Sequence, residues 1–120
     1  MLSLDSPAWD AIPASPGGTG TLTARLLRNI RDGDESAYDE LHHQVCHQFS
    51  AGAVAYVAVP HLVEIARSAG RRQQIRPLSI IGTVAAALLA YPESAAPIRD
   101  EWRFEFVAAN QAALRITHCG

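Results

Sequence analysis

Residues 52–69 read GAVAYVAVPHLVEIARSA, and how this run folds decides the architecture of the chain. It is alanine-rich, and alanine is both the best helix former and a side chain that lets helices approach closely. Pro60 sits inside the run, removing one backbone donor and crowding the preceding turn, so a helix kinked near Ala58 is expected, closed by Gly70. The adjoining apolar stretch 51–66 is interrupted by Pro60, His61 and Glu64, which excludes a bilayer span. A buried helix in a globular domain is the reading that remains.

Downstream, RRQQIR at 71–76 reads as a polar linker, and Pro77 suits the first turn of a fourth helix over 78–90. That helix is apolar almost all round and should be covered on more than one side. Tyr91 and Pro92 end it, and a fifth helix is expected to begin near residues 94–97. Ile98, Trp102, Phe106, Ala109, Ala113 and Ile116 then mark one face at helical spacing.

Upstream, Asp34 is a good N-cap for a second helix carrying Ala37, Tyr38, Leu41, Val45 and Phe49 on one side. A first helix over 21–31 repeats Leu22, Leu26, Leu27 and Ile30 at the 3.6-residue period, with Gly33 placed for a left-handed close. The link between these two is so short that they should pack antiparallel. Residues 1–20 hold four glycines or prolines in 16–20 alone and no periodic pattern, so an irregular arm is expected, pinned by Trp9 and Ile12. The fold class that follows is all-α: about five helices over 21–120, after an N-terminal arm over 1–20.

At 120 residues and 12.9 kDa, with 48% hydrophobic residues, this is the composition of one globular domain and not of a disordered chain. Ten arginines and no lysine stand against twelve acids, a net charge of −2, so the basic excess that nucleic-acid binding draws on is missing. The arginine bias fits a GC-rich bacterial genome. Two cysteines are too few for a disulfide framework and read as reduced thiols. With no signal-peptide pattern at the start, a cytoplasmic protein is expected, with neither a membrane nor a nucleic acid as partner.

The block CHQFSAGAVAYVAVPHLVEIA at 46–66 resembles a family of bacterial HEAT-repeat-like (armadillo-type) proteins of unknown function. His47-Gln48 matches a His-Gln pair at the end of one helix, Val59-Pro60 matches a Val-Pro step, and His61–Ile65 matches its apolar continuation. Trp9, and Ala37 with Leu41, are fainter echoes. Phe49 and Gly52 depart from the family pattern, where glycine and an aromatic are usual. The resemblance implies a short α-solenoid of antiparallel helix pairs, and no activity or catalytic residues come with it.

Three groups of residues are candidates for function. LHHQVCHQFS at 41–50 puts His43 with His47, and His42 with Cys46, one helical turn apart, suitable geometry for two ligands of a transition metal. A third ligand would have to come from Asp39, His61 or His118. Arg71 and Arg72, with Arg76, form a basic cluster suited to a phosphate or an acidic partner peptide. Phe104 falls off the face shared by Trp102 and Phe106, which marks it as an exposed contact for a partner or another subunit. The function expected from these features is a non-enzymatic protein–protein interaction or scaffold module, with dimerisation through an uncapped end at the fifth helix. The alternative is a metal-binding helical protein or enzyme using His43 and His47.

Overall fold

The 52–69 run forms the hub of the molecule. In a computed structural model, which describes residues 1–14, 18–47, 50–90 and 98–119 (side chains of 47, 50, 51 and 117–119 excepted), it becomes a helix over Ala53–Ser68. The chain is all-α. Its helices are α1 (Thr21–Arg31), α2 (Tyr38–Val45), α3 (Ala53–Ser68), α4 (Arg71–Ala90) and α5 (Asp100–Cys119). The start predicted for the fifth helix, at 94–97, lies outside the described residues.

α3 continues through Pro60 without a break, and its residues from Ala53 to Val59 are all buried. Over those first two turns the helix has no solvent face, exposing only Glu64, Arg67 and Ser68 further on, and it packs against α1, α2, α4 and α5. In a stack of repeats each helix pair meets only its sequence neighbours. Here one helix meets all four others, so these contacts do not by themselves make a solenoid. The helix expected to be covered on several sides, α4, is covered on one: Pro77, Ile80, Ile81, Val84 and Ala87 form a single buried stripe. The middle of its other face is built of Ser79, Gly82 and Ala86, whose side chains bring little apolar area, while Ile75 and Leu89 stand exposed at the two ends of that face.

α1 ends in a full Schellman close. Gly33 takes φ +107°, its N–H donates to the Ile30 carbonyl, and the Asp34 N–H donates to Asn29. Asp34 then caps a 3₁₀ turn at Glu35–Ala37 by accepting from the Ser36 amide, and that turn leads into α2.

Two elements differ from the sequence expectation. α4 starts at Arg71, so RRQQIR is helix and not linker. Arg and Gln are good helix formers, the Gln73 and Gln74 amides donate to Gly70, and Gln74 Nε2 donates to the Ala66 carbonyl at 2.9 Å. Pro77 is tolerated inside α4 because the carbonyl it leaves without a donor, that of Gln73, belongs to an exposed residue that water reaches. α2, in turn, stops at Val45 rather than running to Phe49. Cys46 is extended (φ −148°, ψ 102°), and β1 (Cys46–His47) pairs antiparallel with β2 (Ser50–Ala51).

The arm is more ordered than its composition suggests. A 3₁₀ turn at Pro7–Ala11 buries Trp9 at 1% exposure, and Ile12 is buried as well, so both do pin the arm to the helices. The Trp9 indole donates to the Ser3 carbonyl at 2.7 Å, and the Pro13 carbonyl accepts from the first-turn amide of Val54, capping α3 from the arm.

Candidate functional site

The histidine cluster lies where α2 ends. Past Val45 the backbone is extended, so the helical register that set His43 beside His47, and His42 beside Cys46, is broken after one partner of each pair. The side chain of His47 lies outside the described residues, as do those of His118 and Cys119; His43 is exposed. Among the described residues no group of three His, Cys, Asp or Glu side chains converges to hold a metal. Cys46 is a free, buried thiol, and burial pushes its pKa up, away from the thiolate that a metal or an electrophile needs.

The arginine cluster is divided. Arg76 reaches α2, where its guanidinium bonds Asp39 at 2.9 Å and lies over the Tyr38 ring at 5.3 Å. Arg71 and Arg72 stay exposed in the first turn of α4, next to the exposed Ile75. Cations at a helix N-terminus oppose its dipole, so this placement is not one that stability selects.

α5 bears out the expectation for its aromatics. Phe106 is buried, its ring 4.8 Å from that of Tyr56, while Phe104 is 77% exposed. Sequence reasoning missed two companions. Val107 and Leu114 are also large apolar residues in the open, at 51% and 60% exposure. Positions 100, 104, 107, 111 and 114 follow one another at spacings of four, three, four and three, and all five are exposed, facing away from the α3 side marked by Phe106, Ala109 and Ala113. The same periodicity that revealed the buried face held this signal on the opposite one.

A second feature was not legible locally. Between the arm, α1, the 3₁₀ turn before α2 and the C-terminal half of α3 lies a half-open cavity of about 670 Å³. Its floor is Leu4, Leu27, Ile30 and Ile65; His61 and Tyr38 enter its wall, and Arg31, Glu35, Glu64 and Gln73 stand at its rim. His61 sits 5.9 Å from the Trp9 ring, and its Nε2 donates to the Leu2 carbonyl at 2.6 Å, tying the arm to α3. Burial holds the His61 pKa below its usual value, against the opposing pull of the Leu2 bond, so the ring is neutral at pH 7. Burial, with Glu35 nearby, raises the pKa of Tyr38, which keeps its phenol protonated.

Comparison with known proteins adds nothing to this geometry: no family model, curated protein or solved structure matches the chain. No helix among the described residues is long and apolar enough to cross a membrane.

Proposed function

We propose that the protein is a non-enzymatic interaction module that works through the outer face of α5, and that a second copy of the chain is its partner there. The observation that carries this reading is that α5 has two apolar faces. One is buried against α3; the other leaves Phe104, Val107 and Leu114 in water at the spacing of a coiled-coil seam. Scattered apolar side chains need no explanation, but three aligned on one helix face do.

Charge favours an antiparallel second copy. Asp100 stands at one end of the seam and Arg115 at the other, both exposed. Setting Phe104 opposite Leu114 of a two-fold mate brings each Asp100 within about one turn of the mate's Arg115. Gln111 then faces Val107, a polar seam position that weakens the pair while fixing its register. The membership in a HEAT-like family that 46–66 suggests fits a binding role of this kind, as does a cytoplasmic setting, where a buried reduced Cys46 is the ordinary state.

Light scattering across a concentration series tests the reading. The mass should climb from 12.9 kDa toward twice that value, and Phe104→Glu should hold it at 12.9 kDa with unchanged helicity. A wild-type chain that stays monomeric throughout, or a Phe104→Glu chain that pairs equally well, would overturn it.

A further inference from the structure

The cavity between the arm and α3 has no part in the α5 contact, and one atom on its wall names a ligand class. We propose that it binds a small uncharged alcohol, whose hydroxyl donates to His61 Nδ1 while its alkyl body lies on the Leu27–Ile30–Ile65 floor.

The tautomer of His61 follows from its partner. The Leu2 carbonyl can only accept, so this neutral ring carries its hydrogen on Nε2, and Nδ1 holds a lone pair. No described residue donates to Nδ1. Among the described residues the Thr23 hydroxyl is the one unbonded side-chain group sealed from solvent, so Nδ1 is not sealed. The rest of His61 is buried, at 9% exposure, and the open space that it lines is the cavity. An acceptor in a largely apolar wall calls for a donor from that space.

Size and placement fit an alkyl chain. About 670 Å³ lies in the range of ligand pockets, and an aliphatic floor with a few polar groups is their usual make-up. Ile65 lies one turn beyond His61 on the same face of α3, and Ala69 one turn further, about 12 Å along the axis at 1.5 Å per residue. Leu27 and Ile30 line the same space from α1. Charge excludes the other head groups. A carboxylate has no hydrogen to give and would set its lone pairs against that of Nδ1. Against an ammonium stand burial first, then the Met1 amino group and Arg31, which together resist positive charge at His61 despite the Leu2 bond and Glu105. The acids Glu35 and Glu64 stand exposed at the rim, where water screens them.

The experiment compares octanol, octyl methyl ether, octylamine and octanoate by isothermal titration against the full chain at pH 7.5. Octanol should bind saturably. The ether keeps the body but lacks the donor, and should bind about fivefold more weakly, the size of one neutral hydrogen bond. Octylamine and octanoate should also bind more weakly than octanol. With nitrogen-labelled histidine, the His61 Nδ1 resonance should move upfield on adding octanol and stay in place on adding the ether. Ala69→Trp, which fills the mouth from the end of α3, should abolish octanol binding. No saturable octanol binding, an ether or charged analogue that binds as tightly, an unmoved Nδ1 resonance, or an unchanged affinity in Ala69→Trp would each overturn the proposal.

Discussion

Replacing Gly20 by alanine tests how tightly the arm is locked to the helices. Gly20 has φ −73° and ψ −2°, a conformation open to any residue, so alanine brings no backbone strain and should gain about 0.4–1 kcal/mol from a stiffer unfolded chain. Space decides against it. An added Cβ would lie 2.9 Å from the Trp9 carbonyl oxygen, 3.1 Å from Trp9 Cε3 and 3.1 Å from Val54 Cγ2. None of these can step aside. The Trp9 carbonyl accepts from Ile12 and from Gly20 itself, the Trp9 ring is buried, and Val54 is fully buried at the start of α3. Overpacking of this kind costs about 1–3 kcal/mol, and glycine is also the better residue at a helix N-cap. The net expectation is a loss of about 1–2 kcal/mol, a fall of roughly 4–10 °C in Tm for a chain of this size. Urea and thermal denaturation followed by circular dichroism measure it. A Gly20→Ala protein as stable as the wild type would refute the close approach of arm, α1 and α3.

The opposite sign is expected at Gly82, in the interior of α4, where an added Cβ meets nothing within 4 Å; Gly82→Ala should stabilise by about 1 kcal/mol in the same assay. Thr23 is fully buried with its hydroxyl unbonded among the described residues, so the isosteric Thr23→Val should stabilise by about 1 kcal/mol, and a loss would mean the hydroxyl has a partner. His61 sets a pH dependence. Its folded pKa lies below the ordinary 6.5 of the unfolded chain, so below about pH 6.5 the unfolded state takes up a proton that the folded state refuses. Stability should therefore fall as pH drops from 7.5 to 5.5, and His61→Gln should flatten that part of the profile.

Where local chemistry governs, the residues announced the structure. Leu22, Leu26, Leu27 and Ile30 with Gly33 specified α1 and its close, and the run around Pro60 specified α3, because period and capping act within a few residues. The misreadings fall where a distant group intervenes. Val45 and Phe49 continue a helical pattern, but α2 is stopped by a ladder to residues 50–51 and a bond from the Gly52 amide to the Val45 carbonyl. Arg71–Arg76 look like linker until Gln74 is seen bonding Ala66. That Phe104 would face outward was readable from its angle to Trp102 and Phe106. The cavity was not readable, since Leu4, Ile30, Tyr38 and His61 come from separate segments that only the folded chain assembles.

The central claim is the antiparallel pairing of α5, and a charge swap tests it most directly. Asp100→Arg sets arginine against arginine at both ends of the pair, and Arg115→Asp sets aspartate against aspartate; each variant alone should therefore pair more weakly than the wild type. Mixed in equal amounts, they restore an opposite-charge contact at each end, so the mixture should form the heterodimer preferentially, read as its distinct mass by native mass spectrometry. A mixture that pairs no better than either variant alone would contradict the account.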